Sequence, residues 1–201
     1  MKNIYLLLAV LLLSGCSSLL TSKQNVDQFY TVNALKDYDG EKQNVDATIT
    51  IQSPTVSKGL DGNRIMLMHS PQRLDYFAKA RWSSPLSMMV QTSLVESFEN
   101  SEALDRVATD YSGLRPNYVL LLEIQDFQAE YKEANQPPVI HIKLVAKLVD
   151  FPLRNLMASF SVETFKQAEE NELDAIMFAF DQAFAGAQEL MIEETLDYFE
   201  Q

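Results

Sequence analysis

The run Tyr118–Tyr131, YVLLLEIQDFQAEY, gives the strongest strand signal in the chain. Its first five residues, 118–122, are continuously apolar, which is typical of a strand covered on both faces. Its later part alternates apolar with polar residues, as a strand with one buried face does. The sequence therefore predicts that this run forms the central strand of a sheet.

Two further runs follow it with short connections. Val139–Asp150 alternates cleanly, with apolar residues on one face and His141, Lys143 and Lys147 on the other. In Leu156–Phe165 the apolar residues again share one face. Because consecutive strands joined by short connections usually pair, we expect the three runs to form an antiparallel meander.

Shorter strand signals precede the central run. Val45–Gln52 has a clean period of two, and Phe29–Val32, Arg64–Met68 and Leu104–Thr109 are short β-prone runs. The segment Pro71–Ala80 is less regular and rich in aromatic residues, and its pattern assigns no element.

Two helices complete the pattern. Ser84 is predicted to cap the first helix and Pro85 to begin it, with apolar residues at helical spacing as far as about Glu99. Glu170–Phe199 carries a broad apolar stripe and is predicted as the second helix. The simplest layered solution is an α/β (α+β) fold, a single mixed, mostly antiparallel sheet with two helices packed on one face.

The first sixteen residues have the layout of a secretory signal. Lys2 is followed by ten apolar residues, 4–13, too few for a bilayer-spanning helix of roughly 20. Leu13-Ser14-Gly15-Cys16 resembles the bacterial lipoprotein signal, which implies cleavage between Gly15 and Cys16 and attachment of lipid, including palmitate, to Cys16. The alternatives are an ordinary signal peptide with an incidental cysteine, or an uncleaved anchor.

We therefore predict a signal peptide over residues 1–15, a lipidated cysteine with a flexible tether over 16–28, and one domain over 29–201. No internal disulfide can form, because Cys16 is the only cysteine. The lipoprotein resemblance also implies anchoring in the inner leaflet of the outer membrane, because Ser17 replaces the Asp that retains such proteins in the inner membrane. Apart from this covalent lipid we expect no cofactor.

The chain is strongly acidic. Its formal net charge is −12, and loss of Lys2 with the signal peptide takes it to −13. Nucleic-acid binding requires a basic surface, and anionic lipid attracts basic segments. We therefore expect no nucleic-acid partner, and we expect acyl chains rather than charge to hold the protein at a membrane.

Several short motifs occur in a fixed order along the chain. They are the lipobox ending at Cys16, Phe29-Tyr30-Thr31-Val32, Leu60-Asp61, Tyr76, Arg81-Trp82, Pro85-Leu86, Leu121–Phe127 and Tyr131. In these motifs and their order the chain resembles the ABC-type transport auxiliary lipoproteins of the paraquat-inducible type. Two departures are visible: the family favours Tyr-Tyr-x-Leu where this chain has 29–32, and it often has a Trp where this chain has Tyr198-Phe199.

The resemblance implies a periplasmic domain on the outer membrane that accompanies a membrane protein with mammalian-cell-entry (MCE) domains in intermembrane lipid transport. The family brings no catalytic residues. The first hypothesis is a non-enzymatic adaptor that docks on the MCE protein, with a ring-like homo-oligomer suggested by the rings that MCE proteins form. The second is a lipid-binding carrier with a cavity between sheet and helices.

The residues themselves indicate little chemistry. His69 and His141 lack the partners and spacing of a metal site and are interpreted as surface histidines. No Gly-x-Ser-x-Gly motif or glycine-rich phosphate loop is present in the sequence. Glu123 and Asp126 are interpreted as solvated residues rather than a catalytic pair. We therefore expect no enzyme activity and no metal.

Three features could serve recognition. Tyr76, Arg81 and Trp82 are candidate partner-binding residues, because Trp and Arg are enriched in interface hot spots. The alternative is that Trp82 seals the sheet under a helix. The last 35 residues carry acids but no Lys or Arg after Lys166, which indicates either a solvated face or a surface for a basic partner. Four apolar residues lie off the stripe of the last helix and belong either to a subunit contact or to a deeper core: Phe178, Ile192, Leu196 and Phe199.

Overall fold

The computed structural model describes residues 27–40, 45–70, 72–133 and 135–200. The signal peptide, the cleavage site at Gly15, Cys16 and most of the tether lie outside these residues. The described part contains, in order, β1 (Gln28–Tyr30), β2 (Val45–Ile51), β3 (Thr55–Val56), β4 (Arg64–Ser70), β5 (Arg73–Trp82), α1 (Leu86–Ser101), β6 (Leu104–Thr109), β7 (Tyr118–Glu130), β8 (Val139–Asp150), β9 (Asn155–Gln167), α2 (Leu173–Asp197) and a 3₁₀ turn (Tyr198–Glu200).

The long strand β7 lies at the centre of one mixed sheet. One edge of β7 pairs along its whole length with β8, and β8 pairs with β9, both antiparallel. The other edge is shared by three parallel strands, with β2 near Tyr118, β3 near Glu123 and β4 near Gln128. Beyond them, β6 lies beside β2, and β5 and then β1 lie beside β4. The mixed sheet and the antiparallel meander are confirmed.

A bulge in β7 decides which of its residues face the helices. Leu120 and Ile124 are buried, and the register with β8 then shifts between Ile124 and Asp126. One extra residue reverses the alternation, so the next buried side chains are Phe127 and Ala129. The bulge therefore keeps Phe127 in the core and places Asp126 on the opposite face, which carries no helix.

Both helices cover the same face, as predicted. α2 packs against β8 and β9, and α1 packs against β6, β2 and α2. Aromatic rings fill the space beneath α2: Trp82 meets Phe127 and Phe180 edge-on with centroids 5.7 and 5.3 Å apart, and Phe184 contacts Phe127 at 5.7 Å. Edge-to-face pairs at these distances add stability beyond the area that they bury.

A buried polar network joins both helices to the segment after β1. Ser97 of α1 donates to Oε1 of Gln188 of α2 at 3.0 Å, and Nε2 of Gln188 donates to the carbonyl of Asn33 at 3.0 Å. The backbone N–H of Leu35 donates to Oγ of Ser97. Because Ser97 and Gln188 are fully buried, these bonds satisfy groups that would otherwise cost free energy.

One segment without an assigned element forms a strand, and one local prediction is wrong. β5 runs over Arg73–Trp82, in the less regular segment Pro71–Ala80 (Pro71 itself lies outside the described residues). β5 shows no clear period because only Ala80 and Trp82 on it are buried. Ser84 does not cap α1: Pro85 occupies the cap position without a side-chain bond, and the N–H of Leu86 donates to the carbonyl of Gly62 at 2.9 Å.

The second helix, predicted over Glu170–Phe199, is shorter at both ends: it begins at Leu173, and its last turn tightens into the 3₁₀ segment Tyr198–Glu200. Of the four apolar residues off its stripe, Ile192 and Leu196 are buried, Phe199 packs on the core, and Phe178 is exposed. In the described residues, neither helix is both long enough and apolar enough to cross a bilayer.

Candidate functional site

The three candidate partner-binding residues all lie on β5 but in different environments. Trp82 is 1% exposed and packs between the sheet and α2. The indole therefore offers no surface to a partner in this structure, and its position matches the alternative interpretation of a tryptophan that seals the sheet. Tyr76 and Arg81 are half-buried, and their predicted role in partner binding stays a prediction.

Tyr76 and Arg81 both make contacts within the fold. The hydroxyl of Tyr76 donates to the carbonyl of Gly59 at 2.8 Å, and the guanidinium of Arg64 lies 3.7 Å above the Tyr76 ring. Nε of Arg81 lies 2.6 Å from a carboxylate oxygen of Asp27, the residue before β1. Arg81 thus fixes the point at which the chain joins the sheet, and Tyr76 holds the loop before β4.

A groove of about 650 Å³ lies on the face of the sheet opposite the helices. It follows the end of β7 and lies between the end of β4 and the paired strands β8 and β9. Its lining mixes carboxylates, imidazoles and apolar or aromatic side chains: Met68, His69, Ser70, Asp126, Gln128, Glu130, Tyr131, Lys132, Val139, His141 and Phe165.

His141 is the central titratable group of this groove. Its Nδ1 lies 2.8 Å from Glu130 on β7, and its Nε2 lies 2.8 Å from Glu163 on β9. Phe165, largely exposed, stacks on the imidazole with centroids 4.4 Å apart. The ring thus bridges three adjacent strands, and its two nitrogens are both engaged by carboxylates.

These contacts change the ionisation of the pair. Burial by itself lowers the pKa of His141, but the hydrogen bonds to Glu130 and Glu163 and the charges of Asp126 and Glu130 outweigh it, so the pKa is raised. The hydrogen bond from His141 lowers the pKa of Glu163, and Lys143 adds to that effect. Both shifts favour an imidazolium held between carboxylates.

Gln128 organises the carboxylates beneath His141. Its amide is 2% exposed, and Nε2 donates to Asp126 and to Glu130 at 3.0 Å each. Its Oε1 accepts from the backbone N–H of Phe127 at 2.8 Å. Glu130 therefore receives bonds from both Gln128 and His141, and the groove floor is a connected network.

This arrangement suits a structural clamp better than catalysis. A general base needs a nitrogen free to accept the substrate's proton, and both nitrogens of His141 already face carboxylates. His69 is exposed and lies apart from this network, with its ring 5.7 Å from that of Tyr131. Within the residues that the structure describes, no group of three or more His, Cys, Asp or Glu side chains could hold a metal ion.

The interpretation of His141 as a surface histidine is wrong, since its side chain is only 14% exposed. Its position facing outward on a strand was correct, but its burial depends on neighbours from two other strands. Sequence offers one usable signal: Glu130 and Glu163 also lie on the polar faces of their strands. The register that brings them together across β7, β8 and β9 is not visible in any one strand.

Two acids of the last helix accept hydrogen bonds from the N-terminal segment. Asp174 accepts from the hydroxyl of Tyr30 at 2.9 Å, and Asp181 accepts from the backbone and side-chain amides of Asn33. Burial first, and then the Asp174 contact, raise the pKa of Tyr30. At least these two acids therefore hold the N-terminal segment on α2 rather than serving as free surface charge.

Comparison with known proteins agrees with this architecture. A family model described as the ABC-type transport auxiliary lipoprotein component matches residues 32–189. An uncharacterized protein of Bradyrhizobium diazoefficiens is 30% identical over 139 residues, which are 69% of this chain and 36% of that protein. This chain therefore spans about a third of the length of that curated relative.

Solved structures share the fold. The crystal structure of a Xanthomonas campestris protein of the DUF330 family model superposes with a TM-score of 0.78 at 22% identity and covers 87% of this chain and 98% of its own. A hypothetical protein of Chlamydia trachomatis reaches a TM-score of 0.51 at 9% identity, with 77% and 98% covered. At such identities the likeness establishes the sheet and helices and nothing more specific.

Proposed function

This chain belongs to the family of ABC-type transport auxiliary lipoprotein components, and from that membership we propose that it is a non-enzymatic adaptor for an MCE-domain membrane protein. In the proposal, lipid on Cys16 anchors it in the inner leaflet of the outer membrane. The domain then positions the outer-membrane end of a lipid path. The observation that carries the proposal is the family match over residues 32–189, which includes the central strand, the meander and most of α2.

The contacts at the start of the domain support an anchoring role. Arg81 binds Asp27, Tyr30 binds Asp174 and Asn33 binds Asp181, so the chain is attached to β5 and α2 within its first seven described residues. A pull on the tether would therefore act on the sheet and the helix layer together. The eleven residues 16–26 could span at most about 40 Å.

The anchoring proposal is tested on the full chain in the cell. Cys16→Ser should abolish incorporation of labelled palmitate and release the protein from membranes, whereas Ser17→Asp should keep the lipid but move the protein to the inner membrane. Density-gradient fractionation and intact-mass analysis measure both. A native product that still carries its first fifteen residues without lipid would refute the anchor.

The partner is tested by co-purification. The full chain, extracted in mild detergent after mild crosslinking, should bring with it the MCE-domain protein produced from the same cells. Clean absence of that protein would overturn the adaptor proposal. We also propose a ring-like homo-oligomer, to match the rings of MCE proteins, and a monomer in light scattering would remove that part alone.

The interior of the domain favours the adaptor over the lipid carrier. A carrier needs room for an acyl chain between the sheet and the helices. There the side chains of Trp82, Phe127, Phe180 and Phe184 are fully buried and in mutual contact. Native mass spectrometry of the purified domain should show no bound lipid, and a stoichiometric lipid adduct would favour the carrier.

A further inference from the structure

His141 holds the two sides of the groove in different ways. On the β7 side, its Nδ1 lies 2.8 Å from Oε1 of Glu130, and the same oxygen accepts from Nε2 of Gln128 at 3.0 Å. On the β9 side, its Nε2 lies 2.8 Å from Oε1 of Glu163, and Nζ of Lys143 lies 3.7 Å from that oxygen. Within the described residues, Glu130 is therefore fastened by two short bonds, whereas Glu163 has one short bond and a long ion pair.

Both bonds to His141 exist together only while the imidazole carries two protons. Imidazolium donates from both ring nitrogens, but neutral imidazole has one N–H and one lone pair. When His141 loses a proton, one of the two carboxylates therefore faces a lone pair, which repels it. One of the two contacts must then break.

The surroundings of the two carboxylates decide which contact breaks. Gln128 is 2% exposed, and its Oε1 accepts from the N–H of Phe127 at 2.8 Å, so its Nε2 stays directed at Glu130. Movement of Glu130 would take an acceptor from this buried amide, which costs free energy. Movement of Glu163 leaves no buried amide without an acceptor, because water reaches its side chain, which is 40% exposed. The remaining proton should therefore stay on Nδ1 of His141, and the contact with Glu163 should break.

The position of Phe165 depends on the same proton. Its ring stacks on the imidazole of His141 with centroids 4.4 Å apart, and the residue is 60% exposed. An aromatic face attracts a cation more strongly than a neutral ring, so neutral His141 holds Phe165 less tightly. The backbone of β9 stays attached beside it, because the hydroxyl of Thr164 donates to the carbonyl of Ala183 at 2.9 Å. Loss of the proton should therefore move the side chains of Glu163 and Phe165 and leave the strand in place.

We propose that His141 is a proton-controlled clamp that opens on one side only. When protonated, it holds Glu163 and Phe165 against the groove, and when neutral, it keeps Glu130 and releases the other two. Because Phe165 lines the groove, loss of the proton widens the groove on its β9 side. This inference goes beyond the proposed function and does not depend on it, since every group involved belongs to this domain.

The charges around His141 set the pH at which the clamp opens. Burial lowers the pKa of His141, but the bonds to Glu130 and Glu163 and the charges of Asp126 and Glu130 outweigh it and raise the pKa. Opening therefore requires a pH above histidine's ordinary pKa of about 6.5. The titratable and charged groups that face His141 or line the groove with it are Asp126 and Glu130 on β7, Tyr131 and Lys132 directly after it, Glu163 on β9, His69 on β4 and Lys143 on β8 itself.

Nitrogen-15 NMR of the full chain in mild detergent tests the direction of opening. Neutral His141 should be the Nδ1–H tautomer, and the nuclear Overhauser contact between the rings of His141 and Phe165 should weaken as His141 titrates. His69→Gln assigns the signals, because the chain has two histidines. The Nε2–H tautomer, or a ring contact that does not change with pH, would overturn the proposal.

Two matched substitutions test the role of each carboxylate. Glu163→Gln and Glu130→Gln should both lower the pH at the midpoint of the His141 titration, because each removes a charge that favours imidazolium. Only Glu130→Gln should change the neutral tautomer to Nε2–H, since the proton then binds toward the carboxylate that remains. Glu123→Gln, at an exposed acid of β7, is the control and should change neither the midpoint nor the tautomer.

The outcomes of these substitutions separate the two halves of the inference. An unchanged midpoint in Glu163→Gln would show that Glu163 does not hold the proton, and the Nδ1–H tautomer in Glu130→Gln would show that the carboxylates do not choose the nitrogen. Either result overturns the proposal. Circular dichroism checks that the variants fold, and if one does not, the tautomer of the unsubstituted protein decides alone.

Discussion

Trp82 provides the sharpest test of the core, because its two interpretations differ in what its removal should do. The indole is 1% exposed and makes edge-on contacts with Phe127 and Phe180. Truncation of a buried Trp or Phe to Ala costs about 3–5 kcal/mol, within which each lost aromatic pair contributes about 0.5–1.5 kcal/mol. We therefore expect Trp82→Ala to lower the free energy of unfolding by about 4 kcal/mol.

Urea unfolding followed by circular dichroism measures this loss without relying on the tryptophan. In a domain of this size, 1 kcal/mol shifts the melting temperature by about 2–4 °C, so the variant should melt about 8–16 °C lower. Phe178→Ala, at an exposed position of α2, is the control and should change stability by no more than about 0.5 kcal/mol. Trp82→Phe should lose less than Trp82→Ala, because it keeps a ring in the cluster.

The result that would refute this reasoning is a stable but non-binding variant. If Trp82→Ala unfolded within about 1 kcal/mol of the unsubstituted protein and yet lost its partner, the indole would be a contact residue rather than part of the core. Acrylamide quenching gives an independent check, since the emission of this sole tryptophan should be poorly quenched in the folded state and readily quenched in urea.

Further predictions concern the groove, the buried network and one turn. The stabilisation that His141 contributes is complete below its ordinary pKa of about 6.5 and is lost as the pH rises through its raised folded pKa. The stabilisation that Glu163 contributes is present above its ordinary pKa of about 4.5 and is lost as the pH falls through its lowered folded pKa. The difference in melting temperature between the unsubstituted protein and His141→Gln should thus be largest near pH 5–6 and shrink in alkali, and a difference that grows above pH 8 would contradict the clamp. Gln188→Ala should cost about 1–3 kcal/mol in urea unfolding, because the bond between Ser97 and Gln188 and the bond from Gln188 to the carbonyl of Asn33 are both lost, although Ser97 keeps the carbonyl of Ser93 at 2.6 Å; no loss would mean that the network is dispensable. Gly59→Ala should cost about 1–2 kcal/mol, since Gly59 has φ +94° and a Cβ there would lie 2.9 Å from Cε of Met66, and unchanged melting would show that the loop relaxes freely.

Periodicity predicted the meander and, before it, β2, β4 and β6, but it predicted neither β5 nor how the strands before the meander pair. β7, β8 and β9 begin and end within about two residues of the predicted runs, because each has one face buried by helices and therefore alternates. Alternation does not show which strands pair with each other. It therefore could not show that β2, β3 and β4 each pair with a different part of the second edge of β7. β5 escaped prediction because backbone pairing with β4 and β1 requires no apolar period.

The groove was beyond sequence reasoning because it depends on register. Gln128 and Phe165 lie directly opposite His141, so the carboxylates that bind the imidazole are its diagonal neighbours, Glu130 and Glu163. The bulge after Ile124 sets this register, and in the run 118–131 it shows only as a change of the apolar positions from even numbers up to Ile124 to odd numbers from Phe127. Without the bulge, Asp126 rather than Phe127 would face the helices.

The long strands connect the two ends of the sheet. β7, β8 and β9 have 13, 12 and 13 residues, so each reaches about 40 Å between the end that carries the β8–β9 turn and the end that carries the groove. The ladders between them are continuous apart from one register shift each, and α2 lies along them. An adaptor that holds its membrane anchor and its partner at a set separation needs such a connection. A lipid carrier needs an interior that opens, and separating α2 from the sheet would expose the buried rings around Phe127 to water at a cost of several kcal/mol.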